Sequence, residues 1–334
     1  MERSTDIVIQ GYGGSLRKKE NRFVITHDDQ VKEYACSKIR QILVQGECTI
    51  TSGALRLAAE EGIDVVICLL HGAPSCRVQP CHGKGIAEIR RRQVSLASQP
   101  EGYQSMAEII RAKIHNMGSL VKALGKRRSD ASLSAEGDRI LSAIPTIPRN
   151  GILPRDSSLL RGFEGTASRA YFSALSRVIS PPLYQGIRSR HPAKDAFNAC
   201  LNYGYGILYN EIERACILAG LDPHAGFLHA DRYGHLSLAY DLIEQFRQPV
   251  IDRPVLTLTV HGQVSPGDLD EKGYLSPDAK RAVTVAVFAR LDDERAIDST
   301  ISTFRSTIME NVRAFSNSLK DGTPYHAFQW RYDA

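Results

Sequence analysis

No CxxC pair occurs among the seven cysteines of this chain, which stand at positions 36, 48, 68, 76, 81, 200 and 216. An odd count without paired spacing argues against a disulfide framework and fits buried thiols in a reducing compartment. Cys76 and Cys81-His82 invite a zinc reading, but a C-x4-C-H spacing with no second ligand pair favours a loop with two free thiols. No apolar run reaches the roughly eighteen residues of a membrane-spanning helix. The opening MERSTDIVIQGYGG lacks the basic, apolar and small-residue layout of a signal peptide. The expectation is a cytoplasmic protein with no membrane partner. A Walker loop, a GxSxG elbow and an HExxH helix are all missing, so ATPase, serine hydrolase and zinc protease readings lack support. Internal repeats and low-complexity tracts are missing too.

What is present is ordinary in bulk and uneven in charge. Hydrophobic residues make up 43% of 334 and charged residues 24%, as in a globular chain long enough for two domains. The net charge is +5. Basic residues gather at Arg17-Lys18-Lys19, Arg90-Arg91-Arg92, Lys126-Arg127-Arg128 and Arg188/Arg190. One such cluster usually marks a solvated surface; several favour a polyanionic partner such as nucleic acid.

The hydrophobic pattern changes along the chain. Residues 1–80 read as β-rich, with strands at Asp6–Ile9, Arg22–Thr26, Ile39–Gln45, Cys48–Thr51 and Asp64–Leu70. One short helix, Gly53–Glu61, is capped by Ser52. Residues 81–85 read as a linker. From Ile86 to the end, residues 86–334, the period is helical. Helices are expected at 86–98, 103–124, from Ser157 to before Pro181-Pro182, at 193–220, from Ser237 to Pro249, at 280–291 and at 295–319. The polar run RRSDASLSAEGD reads as a mobile loop with at most a turn of helix at 139–143, and the tail from Lys320 as partly disordered. The fold class is therefore α+β, a small β-rich amino-terminal domain followed by a larger all-α domain.

The densest stretch is Gly220–Asp252, GLDPHAGFLHADRYGHLSLAYDLIEQFRQPVID. Ala239, Leu242, Ile243 and Phe246 recur as a buried face, which leaves Asp241 and Glu244 as neighbours on the other side. Two such acids repel unless a cation or basic group sits between them. With an upstream histidine they make a ligand set for a divalent metal. Two further segments stand out. Glu164-Gly165-Thr166-Ala167-Ser168-Arg169-Ala170-Tyr171-Phe172 places an acid between Gly162 and Gly165 in a helix, where close backbone approach by a helix or a phosphate would compensate the glycines. Asn198 to Leu208, NACLNYGYGIL, supplies tyrosines and asparagines at helical spacing.

These three blocks, GFLHxxRxGxxSLAxDLxExFR, EGxAxRxYF and NxxLNYGYxxL, resemble in order and spacing the CRISPR-associated Cas1 integrase and endonuclease family. The resemblance covers about residues 160–250 and continues more weakly through ITSGALRLAAEEGIDVVIC at 50–68. It implies a helical catalytic domain holding Mg²⁺ or Mn²⁺ on Glu164, His229 and Glu244, with Asp241 as an auxiliary ligand or supporting acid. It implies DNA as substrate, a homodimer formed through residues 1–80, and a small Cas2 partner. Arg169, Arg232 and Arg247 follow the implied ligands closely and become candidates for phosphate contacts; Tyr171, Asn198, Asn202, Tyr203 and Tyr205 are candidates for lining the same cleft. Carboxylates suit such hard ions, and one imidazole tilts the set toward Mn²⁺ without excluding Mg²⁺. The alternatives are a non-catalytic nucleic-acid-binding scaffold and a hydrolase of small phosphate esters, the latter indifferent to the basic clusters.

Overall fold

The computed structural model describes residues 5–27, 30–69, 74–78, 86–148, 157–229, 234–297 and 300–332. The expected linker at 81–85, the pair Cys81-His82 and Arg232 lie outside these residues. The chain divides into two compact units, Met1–Lys84 and Gly85–Ala334.

The first unit contains β1 (Thr5–Gln10), β2 (Gly14–Lys19), β3 (Arg22–His27), β4 (Gln30–Ala35), β5 (Ile39–Gln45), β6 (Cys48–Ile50), α1 (Ser52–Glu60), β7 (Asp64–Cys68) and β8 (Pro74–Val78). They form two four-stranded sheets, ordered β1-β5-β7-β8 and β4-β3-β2-β6. In the first, β1, β5 and β7 run parallel and β8 antiparallel. In the second, β4, β3 and β2 are antiparallel and β6 joins β2 in parallel. Leu16, Phe23, Ile39, Ile42, Leu57 and Val65 are buried at its core. β2 and β4 escape the hydrophobic pattern, because GSLRKK and QVKEYA carry mostly polar residues; β2 is held in place by a neighbour on each side and by buried Leu16. The cap of α1 is Thr51 rather than Ser52: its Oγ1 accepts from Ala54 N at 3.3 Å.

The second unit is mostly helical. It comprises α2 (Ile86–Leu96), α3 (Pro100–Arg127), α4 (Ala131–Leu141), α5 (Ser157–Leu175), α6 (Ala196–Leu218), α7 (Ser237–Leu242), α8 (Arg253–Val260), α9 (Pro277–Asp292), the hairpin β9 (Arg295–Ile297) and β10 (Thr300–Ser302), and α10 (Phe304–Asp321). The 28-residue α3 is buried along most of its length and packs on α4 and α5. A large core spans α3, α5, α6 and the later helices.

Four sequence expectations fail here for identifiable reasons. The polar run after Lys126 is a full helix, α4. Asp130 caps it by accepting from Leu133 N at 2.9 Å. Glycines let α4 lie against α3: a Cβ at Gly125 would meet Ser134 Oγ at 2.4 Å, and one at Gly137 would meet Lys122 N at 2.7 Å. Pro249 does not close the helix that Ser237 opens. A 3₁₀ turn (Ile243–Gln245) and a wider π turn (Arg247–Asp252) carry the chain past the missing proline N–H into α8. Arg295–Ser302 is the β9–β10 hairpin instead of helix, and α10 starts at Phe304 behind its Thr303 cap. The tail after Asp321 is ordered against the core. Tyr325 and Phe328 are buried, and Phe328 stacks on Phe246 at 5.1 Å.

Candidate functional site

α5 carries Glu164, the 3₁₀ turn after α7 carries Glu244, and α3 brings Lys113 between them. The Lys113 ammonium lies 2.5 Å from Glu164 Oε1 and 2.6 Å from Glu244 Oε2. Lys113 and Glu244 are buried, at 5% and 4% side-chain exposure, while Glu164 keeps 22% and faces a solvent-open side. The glycines beside Glu164 belong to that open side. A Cβ at Gly162 would meet nothing within 4 Å, so no backbone packs there and the expected helix approach is absent.

Glu244 is not on an exposed acidic face. Its Oε1 is 3.1 Å from Arg247, which also donates to Tyr209 Oη at 2.7 Å and lies 4.7 Å over the Tyr205 ring. Burial pushes the Glu244 carboxyl up, but the charges of Arg247 and Lys113 outweigh it and hold the pKa at about 2. Glu244 Oε2 is buried and, despite the nearby ammonium, has no partner in hydrogen-bonding geometry.

Asp241 is buried as well, and its oxygens are taken. Oδ2 accepts from Phe227 N at 2.7 Å and Leu228 N at 3.1 Å. Oδ1 accepts from His229 N at 3.1 Å and lies 2.7 Å from His229 Nδ1. Asp241 thus ties down the Gly-Phe-Leu-His turn and fixes the imidazole, leaving His229 Nε2 as the ring's other donor or ligand atom. Burial disfavours a charged His229, yet the hydrogen bond and charge of Asp241, with Glu244 adding, raise its pKa above the ordinary 6.5.

Among the described residues no three His, Cys, Asp or Glu side chains stand close enough to hold a metal ion as placed. Lys113 occupies the space between two of the implied ligands, and sequence reasoning missed it. The available signal was a lysine at an apolar position of α3, one turn from Ile109 and Met117, where a solvated lysine has no place.

The remaining candidates separate. Tyr171 and Tyr205 are buried and donate to Asp252 Oδ2 at 2.8 Å and Oδ1 at 2.6 Å, so the expectation that they touch substrate gives way to a core role. Asp252, also missed, anchors α5 and α6 to the π turn. Asn198 and Tyr203 are buried too; Asn198 accepts from Arg188 at 3.0 Å. Asn202 accepts from Arg188 at 2.6 Å and donates to the Arg190 carbonyl. Arg169 is exposed and donates to Thr166 Oγ1 at 3.1 Å. Arg90, Arg91 and Arg92 are exposed along α2.

The profile of the family described as "CRISPR associated protein Cas1" matches residues 7–288. The CRISPR-associated endonuclease Cas1 1 of Archaeoglobus fulgidus is 32% identical over 343 residues, covering 96% of this chain and 98% of the relative. Among solved structures, a casposase bound to integration product superposes with a TM-score of 0.81 at 22% identity, over 98% of this chain and 94% of that one. The chain of a Cas6-RT-Cas1–Cas2 complex superposes with a TM-score of 0.81 at 20% identity, over 100% of this chain and 37% of that longer one. With a family profile over most of its length and a relative matching end to end, the chain belongs to the CRISPR-associated Cas1 family.

Proposed function

We propose that this chain is a divalent-metal-dependent DNA endonuclease and integrase that inserts spacer DNA into a CRISPR array by phosphodiester strand transfer. The observation that carries the reading is the convergence of Glu164 and Glu244 on a single cation, with His229 held by Asp241 beside Glu244. A buried carboxylate oxygen without a hydrogen bond, a second carboxylate open to solvent and an oriented imidazole suit Mg²⁺ or Mn²⁺. Glu164, His229 Nε2 and Glu244 are the residues to hold it. Such an ion supplies charge neutralisation at a scissile phosphate and activation of the attacking oxygen.

The chain's own residues do the rest. Asp241 keeps Nδ1 of His229 engaged and so presents Nε2. Arg247, buried against Glu244, keeps that carboxylate ionised and shaped. Arg169, exposed on the same helix as Glu164, is free to meet a phosphate; it is the phosphate-contact candidate that the geometry favours.

The curated relative carries the name endonuclease, the casposase was captured with an integration product, and the longer structural neighbour assembles with Cas2. DNA and a Cas2 protein are accordingly the proposed partners. Homodimerisation is assigned to the first unit, whose outer strands β1, β8, β4 and β6 each pair on one side within their sheets. A non-catalytic scaffold would have no use for buried, ionised Glu244. The deciding experiment is strand transfer of a short duplex into supercoiled plasmid, with and without Mn²⁺, for wild type and Glu164→Ala. Product formed in excess EDTA, or undiminished by the substitution, refutes the assigned site.

A further inference from the structure

A second cleft in the helical unit lies away from the carboxylates. The carboxyl end of α3, α8, α9 and the segment around Trp330 wall a cavity of ≈ 740 Å³. Its lining includes Arg127, Arg253, Arg290, Arg295, Trp330 and Tyr332 and none of Lys113, Glu164, His229 or Glu244. Lys113 and Arg127 sit on one helix, which at 1.5 Å per residue separates the two places by roughly 20 Å.

The charge in this cleft is not balanced from within. Of the two acids in its lining, Asp293 pairs with Arg295, and Asp292 is gripped by Arg305 at 2.7 and 3.1 Å. Among the described residues Arg127, Arg253 and Arg290 have no carboxylate in ion-pair contact. Two of them are nevertheless fixed. Arg253 donates to Thr257 Oγ1 at 3.0 Å. Arg290 donates its Nε to the Pro249 carbonyl at 2.9 Å and stacks 4.6 Å from the Phe304 ring centre and 5.5 Å from that of Trp330. Each keeps further N–H groups unspent. Burial and then the Arg295 charge lower Arg290 to about 10, and burial with Arg127 lowers Arg253, so these guanidiniums stay charged while repelling one another. An anion relieves that repulsion, and forked guanidiniums match phosphate oxygens. A cavity of this size exceeds one phosphate, and aromatic walls beside arginines suit a base next to its backbone.

We propose that this cleft is a second nucleic-acid site, which takes the phosphates of a single strand on Arg127, Arg253 and Arg290 beside the Trp330 wall. It goes beyond the carboxylate site and does not depend on metal there.

Trp330 is the chain's one tryptophan, so its emission reports on this cleft alone. The test is fluorescence titration of the full chain in EDTA with an oligothymidylate of about twelve nucleotides and, separately, with inorganic pyrophosphate. The oligonucleotide is expected to change Trp330 emission with a salt-dependent Kd. The pair Arg127→Gln/Arg253→Gln is expected to weaken that Kd and to flatten its salt slope by roughly 2 units. Arg127→Gln alone, at an exposed helix end, is expected to flatten it by roughly 1 unit without touching the core. Glu164→Ala leaves the response intact. Unchanged emission, or equal Kd and slope in both variants, overturns the site. Pyrophosphate matching the oligonucleotide overturns the strand assignment in favour of a small anion.

Discussion

Asp241 grips His229 twice, through the backbone N at 3.1 Å and through Nδ1 at 2.7 Å, from a position with no solvent exposure of its own. The acid three residues later, Glu244, holds cations instead. Two acids on one turn therefore have different jobs, and their substitutions should differ in kind. Glu244→Gln is expected to remove metal-dependent cleavage while leaving the His229 turn in place. Asp241→Asn should weaken metal affinity by roughly 10–100-fold, the usual cost of losing a ligand's supporting partner, and lower the melting temperature as well. Manganese titration beside thermal melting separates them. Identical profiles for the two variants would show that both acids act alike.

Lys113 predicts how the site behaves without metal. Lys113→Met leaves two carboxylates facing each other and one of them buried with a charge, a loss of about 3–5 kcal/mol for a broken buried pair. The metal-free variant should melt lower than wild type. Mn²⁺ should restore more stability to it than it adds to wild type, because the ion no longer displaces an ammonium. An equal Mn²⁺-induced shift in both proteins would mean that lysine and metal do not share the position, whereas no shift in either would refute the metal reading itself.

The raised pKa of His229 sets a pH dependence. Its folded pKa lies above 6.5, so without metal it contributes stability below about pH 6.5 that is lost as pH rises through the folded value. Ligation through Nε2 needs the neutral ring, so metal affinity runs the other way and falls on acidification. Cleavage by wild type should rise with pH just above 6.5, and Asp241→Asn, which removes the interactions that raise the pKa, should move that midpoint down. A pH–rate profile unmoved in the variant would contradict the coupling.

Binding and cutting should part company. Glu164→Ala removes a candidate ligand and one negative charge, so DNA is held as well or slightly better and is not cut. Replacing exposed Arg90, Arg91 and Arg92 with alanine should flatten the salt slope of DNA affinity by roughly 2–3 units if all of them meet phosphate. That variant should still cut at saturating concentration. Filter-binding salt titrations beside a cleavage assay read both; an unchanged slope returns these arginines to solvent.

Much of this was readable in the chain. The switch from period-two to helical patterning near residue 85 places the change of class, and the motif spacing picks Glu164, His229 and Glu244 out of many acids and histidines. The rest depends on distant partners. Asp241 and Glu244 look like a solvated acidic face because periodicity cannot see the backbone amides of 227–229 or the lysine of α3 that meet them. The run before α4 looks like a loop because its stability comes from glycine contacts with α3 instead of an apolar stripe. Lys113 reads as an interruption of a hydrophobic face until both carboxylates are placed around it.

The ordered tail ties the ligand-bearing turn to a much later part of the chain. Gln245, the neighbour of Glu244, donates to Tyr325 Oη at 2.9 Å across 80 residues and accepts from Phe328 N at 2.6 Å. Asn116, one turn beyond Lys113, accepts from Trp330 N at 2.7 Å. During synthesis every candidate ligand emerges long before this clasp exists. A ribosome-bound chain halted near residue 320 thus carries the full set on an unclamped turn, and nuclease competence should arrive only with the residues that follow. Stalled chains released at 320 and at 332 and assayed side by side would show it, with equal cutting by both as the contrary result.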